Sequence, residues 1–239
     1  LKQADLAMYQ AKTAGRHTLR FFDPHMQQVV TERAALEADL RAALAEDQFS
    51  LHYQPQVNHL GEYIGVEALL RWTHPERGNV PPTEFIPLAE ETGLILMLGR
   101  WVLHTACRRL AQWRKHPQLR HLTMAVNVSS RQFRHASFVQ DVVRVLAVTG
   151  APSSLLKLEL TESLLVEDMD TTIATMRALR TYSIGFALDD FGTGYSSLSY
   201  LKRMPLDQLE SDQSFVRDVL SDPNDAAIVR TSLALAKSL

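Results

Sequence analysis

The sequence predicts an α/β protein organised on a parallel sheet, open or closed into a barrel. Three observations predict it. Strand-like and helix-like stretches alternate from about residue 49 onward at a spacing that suits βα units. Four of the strand stretches each carry one oxygen-bearing side chain on their less apolar face, at or near the C-terminal end. A chain of 239 residues with 46% hydrophobic content can bury a core of barrel size as one domain.

In chain order, residues 1–14 read as an amphipathic helix with Ala4, Ala7, Met8 and Ala11 on one side and Gly15 as its stop signal. A strand-like run from Thr18 to Phe22 ends at Asp23-Pro24. A helix of mixed charge over about 31–46 leads into the second unit. Strands are expected at 49–57, 63–71, 121–128, 155–161, 184–190 and 206–211. Helices are expected at 83–115 (two, meeting near Gly93 to Gly99), 137–148, 168–181, 196–203 and 224–239. The last helix carries Val229, Leu233 and Ala236 on one stripe. His74, just before Pro75, reads as a loop residue, and none of the nine histidines has ligand spacing.

The two faces of each strand carry the functional signal. Glu67 lies on one face with Gly65, Leu69 and Arg71, against Ile64, Val66, Ala68 and Leu70. Asn127 shares a face with Thr123 and Ala125, and Glu159 with Lys157 and Thr161. Asp189 follows Gly185 and Ala187, and runs into Asp190 and the turn Gly192-Thr193-Gly194. In a (β/α)₈ barrel that face points inward and the C-terminal rim carries the active site. Glu67, Asn127, Glu159 and Asp189 would then converge. Adjacent carboxylates raise each other's pKa unless a cation or donors hold them, and hard oxygen ligands suit Mg²⁺ or Mn²⁺ better than zinc. The same residues also fit two plainer readings, a solvated Asp189-Asp190 turn and a hydrogen-bonded structural core.

Composition narrows the classes. A net charge of −2 gives no footprint for DNA or RNA, so a nucleic-acid polymer is not an expected partner. Cys107 stands alone, which excludes disulfides and Cys-rich zinc sites and suits the cytoplasm; it reads as a small apolar residue on a helix. No apolar run approaches the roughly 20 residues that span a bilayer. The chain opens at Leu1, without Met, and reads as a piece of a longer protein, whose upstream part is where any membrane anchor would lie.

Five motifs then come in order: Tyr53-Gln54-Pro55, Glu67-Ala68-Leu69 inside Gly65–Trp72, Asn127-Val128-Ser129, Glu159-Leu160-Thr161-Glu162-Ser163 and Asp189-Asp190-Phe191-Gly192-Thr193-Gly194. Together they resemble the EAL domain family of cyclic di-GMP phosphodiesterases. The run Ala4–Lys12 with Gly15-Arg16 resembles the C-terminal end of a GGDEF domain, which gives a division into residues 1–24 (a GGDEF remnant with linker) and 25–239 (the EAL domain). The resemblance implies a modified TIM-like barrel whose first strand is antiparallel, and hydrolysis of cyclic di-GMP to linear pGpG. It implies a two-metal site for Mg²⁺ or Mn²⁺, inhibited by Ca²⁺, with Glu67, Asn127, Glu159, Asp189 and Asp190 as ligands. Gln54, Leu70, Arg71 and Asp212 match substrate-side positions, and Glu162 matches the residue holding the loop Gly192-Thr193-Gly194. On the bare sequence Arg71 and Glu162 read equally well as a surface ion pair. The upstream GGDEF domain, a sensory domain and a homodimer are the partners it implies.

Two departures stand out. The family's Leu-Lys-Ile-Asp run is Leu209-Glu210-Ser211-Asp212 here, so Glu210 inverts a charge at the site; on this reading Glu210→Lys raises turnover. The chain also stops after the sixth strand, so the last two barrel strands are expected to be absent from it. Beside the phosphodiesterase stands an alternative, a catalytically weak EAL module acting as a cyclic di-GMP receptor or a regulatory dimerisation module.

Overall fold

Alternating apolar side chains become one mixed sheet, and the apolar stripes between them become the helices that cover it. The computed structural model of the protein describes residues 24–162, 164, 168–192 and 201–236. The expected helix over 1–14, the run Thr18–Phe22, Thr193, Gly194 and residues 196–200 of the helix expected over 196–203 lie outside them. Helix α1 (Pro24–Ala43) precedes strand β1 (Phe49–Val57), β2 (Tyr63–His74) and a short β3 (Gly78–Val80). Helices α2 (Pro82–Thr92) and α3 (Ile95–Trp113) lead to β4 (Thr123–Val128). A one-turn helix α4 (Ser130–Phe133), α5 (Phe138–Thr149), β5 (Leu156–Thr161), α6 (Met169–Arg180) and β6 (Gly185–Phe191) follow. The chain continues through β7 (Gln208–Ser211), α7 (Gln213–Arg217) and α8 (Pro223–Ala236).

The sheet runs β1-β2-β4-β5-β6-β7, with β3 beside β2. β1 pairs antiparallel with β2, and every later neighbour along the path is parallel. This is the expected barrel order with an antiparallel first strand. The apolar faces pack outward beneath the helices: Met124, Val126, Leu156, Leu158, Leu160, Ile184, Phe186 and Leu188 are buried with Val102, Ala106, Val142 and Met176. Each of the larger of these side chains contributes about 1.5–3 kcal/mol on burial. Cys107 belongs to this layer, and burial pushes its thiol up to about 12, as an inert apolar residue requires. A second apolar cluster, Leu36, Leu40, Phe49, Trp72 and Phe85, fastens α1 and α2 to the start of β1 and the end of β2.

Three expectations change. The first long helix starts earlier than 31 and ends at Ala43. The helices over 83–115 part at Gly93 (φ 81°), as expected, a conformation that glycine adopts freely. Gly99 lies inside α3 and makes room for Gln132, whose Oε1 would stand 2.2 Å from a Cβ there. His74 is not in a loop: it closes β2 and is buried, because its ring pairs with Asp39 of α1. In α8 the inward stripe is Ile228, Ser232 and Leu235, while Leu233 is 59% exposed. A serine can face inward here because its hydroxyl donates to the Ile228 carbonyl (2.9 Å). Elements β3, α4 and α7 are too short to show a period in the sequence.

Candidate functional site

The candidate residues lie on the inner face and at the C-terminal ends of the parallel strands, as the alternation requires. Glu67 sits on β2 opposite Gln54 of β1, and the Asn127 amide of β4 donates to Glu67 Oε1 at 2.7 Å. Asn127 is in turn paired in register with Glu159 of β5. On β6 the register with β7 shifts between Leu188 and Phe191, so Asp189 and Asp190 ride on a bulge. Bulges re-aim side chains. Asp190 takes φ 56°, an uncommon conformation for a residue with a Cβ, and its N–H donates to Asp189 Oδ1 at 2.8 Å.

The carboxyl groups fall into two facing pairs. Glu159 and Glu210 face each other closely enough to share a proton, and so do Asp190 and Asp212. Glu159 is 1% exposed. Ionised, neither carboxylate of its pair can donate, so both Glu159 oxygens lack a hydrogen-bond partner. Burial first, then the charges of Glu210, Glu67 and Asp189, pushes Glu159 up to about 9. Glu210 and Asp190 are raised as well, chiefly by burial. Asp212 moves the other way, because Ser214 donates to it through its hydroxyl and its N–H while it caps α7.

The loop after Asp190 has its own anchor. The Gly192 N–H donates to Glu162 Oε2 at 3.1 Å, and Glu162 is buried. Gly192 takes φ 105°, and a Cβ there would stand 3.1 Å from the Phe215 ring. Next to the carboxylates lies a cavity of about 320 Å³ whose wall includes Leu70, Arg71, Asn127, Ser129 and Gln132. Arg71 Nη1 donates to the Leu70 carbonyl at 2.8 Å, which holds the guanidinium at the cavity wall.

The donor chemistry suits divalent cations: hard carboxylate oxygens, with both oxygens of Glu159 buried without any donor. Among the described residues no three His, Cys, Asp or Glu side chains gather around one point at ligand distance. Sequence reasoning passed over three polar residues here. Lys157 and Gln208 join β5 to β7 by a hydrogen bond from Nζ to Oε1, and Gln132 floors the cavity. For Lys157 the signal was available, since it shares the inward face with Glu159.

The EAL domain profile matches residues 37–239. The chain belongs to the EAL domain family. This EAL domain is 45% identical over 237 residues to the bifunctional diguanylate cyclase/cyclic di-GMP phosphodiesterase MucR of Pseudomonas aeruginosa, covering 99% of the chain and 34% of that protein. It is 42% identical over 239 residues to the cyclic di-GMP phosphodiesterase PdeR of Escherichia coli, with 100% and 36% covered. The domain thus spans about a third of the length of these relatives. A solved structure, PaMucR phosphodiesterase in complex with c-di-GMP, superposes with a TM-score of 0.82 at 45% identity, over 85% of this chain and 83% of that one. Among the described residues no helix is long and apolar enough to cross a membrane.

Proposed function

We propose that this EAL domain hydrolyses one phosphodiester of cyclic di-GMP to give linear pGpG, with divalent cations held by Glu67, Asn127, Glu159, Asp189 and Asp190. One observation carries the reading: Glu159, buried and without a donor, faces Glu67, Asp189 and Glu210 beside a cavity walled by Arg71. The names of MucR and PdeR and the c-di-GMP complex of PaMucR support it.

In this mechanism Arg71, at the cavity wall, binds a phosphate oxygen of the substrate through its fork of N–H donors. Gln54, Leu70 and Asp212 border the substrate. Bound cations, Mg²⁺ or Mn²⁺, supply Lewis acidity toward the phosphate and lower the pKa of a water. Asn127 fixes the Glu67 carboxylate by its 2.7 Å hydrogen bond. Glu162 holds the Gly192 amide, just beyond Asp189 and Asp190. Ca²⁺, larger and with a looser shell, occupies such a site without supporting turnover. The wider reading places residues 1–24 as the end of a GGDEF domain, in a cytoplasmic homodimer with an upstream sensory region.

A second reading, a receptor that binds cyclic di-GMP and cleaves it little, is favoured by Glu210 within the carboxylates and by their spacing. Turnover of cyclic di-GMP with Mg²⁺ or Mn²⁺, followed by chromatography beside a Glu67→Ala control, decides between them. Formation of pGpG that Glu67→Ala abolishes is the expected result; ligand binding in Ca²⁺ with no pGpG in Mg²⁺ or Mn²⁺ supports the receptor.

A further inference from the structure

Glu210 is the residue that the sequence marks as out of place, and its surroundings are built for an acceptor. Lys157 Nζ donates to Gln208 Oε1, and Gln208 Nε2 donates to Glu210 Oε1 at 2.8 Å. The direction of this chain is forced. An ammonium group only donates, so the amide turns its oxygen to Lys157 and its N–H to residue 210. A carboxylate there completes the chain; a lysine there would meet a donor with a donor. Gly185, level with Lys157 on β6, has no side chain, and a Cβ there would stand 3.1 Å from Asp207 Oδ2. The lysine stem lies over it, with Cγ 3.7 Å from where a Cβ would be.

On its other side Glu210 faces Glu159, which is 1% exposed and has no hydrogen-bond partner at either carboxylate oxygen. Two carboxylates held together without a donor between them leave a place for a cation. We propose that Glu210 is a working cation ligand of this site, and that Lys157 is a positioning residue which, through Gln208, turns the Glu210 carboxylate toward Glu159. The inference rests on the phosphodiesterase reading and reverses the expectation that Glu210 is a defect to be repaired by lysine.

Mn²⁺ alone is the probe, titrated into the protein and followed by the electron paramagnetic resonance signal of the free ion. Glu210→Gln, nearly isosteric, weakens Mn²⁺ binding about 10- to 100-fold, and Gln208→Leu, which leaves the charge unchanged, weakens it about 10-fold. Glu210→Gln keeps at least the metal-free melting temperature of the parent, and Glu210→Lys lowers turnover. Unchanged Mn²⁺ affinity in Glu210→Gln, where Glu67→Ala loses it, overturns the inference and leaves the phosphodiesterase reading standing. Higher turnover in Glu210→Lys also overturns it. A parent protein that binds no Mn²⁺ overturns both.

Discussion

Two groups of buried polar residues, one at the end of β2 and one on the inner face of β5 to β7, show opposite designs. His74 is satisfied on every side. Its Nδ1 accepts from the N–H groups of Glu76 and Arg77, both at 3.1 Å, and its Nε2 faces Asp39 at 3.4 Å, where Arg77 supplies the positive charge. The Trp72 ring meets it edge-on at 5.8 Å. Glu159 is buried more deeply, and its neighbours are carboxylates rather than donors. Native interiors satisfy their buried polar groups, so the first cluster is what a stable fold makes and the second is what a site retains for a ligand.

The comparison is tested most strongly at Glu159. Glu159→Gln cuts turnover by at least about 10²-fold, yet raises the metal-free melting temperature by about 2–4 °C for each kcal/mol of relieved repulsion. Calorimetry in a chelator reads the second effect, and a lower melting temperature would mean that the carboxylate is satisfied after all. Next in size is the pH dependence. Glu159 ionises near 4.5 when unfolded but only near 9 when folded. Over that interval the folded chain binds the extra proton, so the metal-free protein loses stability as pH rises from about 4.5 to about 9. Urea midpoints in a chelator should fall across that window, and a rising series would contradict the electrostatics. The smallest effect on turnover comes from the other cluster. His74→Ala strands two backbone N–H groups and costs about 1–3 kcal/mol of stability, with turnover little changed; a large loss of activity would dissolve the distinction.

Much of this was legible in the sequence, and for a physical reason. A strand repeats every two residues, so Glu67, Asn127, Glu159 and Asp189 declare their common face without any knowledge of long-range contacts. The apolar partners Leu156, Leu158 and Leu160 declare the other. What the sequence concealed depends on pairs far apart in the chain. His74 looks like a loop residue until α1 brings Asp39 to it. Glu210 looks like an isolated reversal of charge until Lys157 and Gln208 are seen behind it. The stripe Val229, Leu233 and Ala236 follows the apolar residues, whereas the buried position of α8 is Ser232, a serine bonded to its own backbone.

The sheet register has a geometric consequence for the site. Glu67 is level with Ala125, Asn127 with Glu159, and Thr161 with Asp189. The candidate oxygen residues therefore climb from strand to strand like the treads of a spiral stair, two residues at β4 and two more at β6. In a tilted barrel such a stair becomes a level ring, because each strand is displaced along its neighbour by the shear. The height of each tread is quantised. Deleting one residue from a strand turns its ligand to the wrong wall, whereas deleting two lowers it by one step, about 6.6 Å, and leaves it facing the ring's centre.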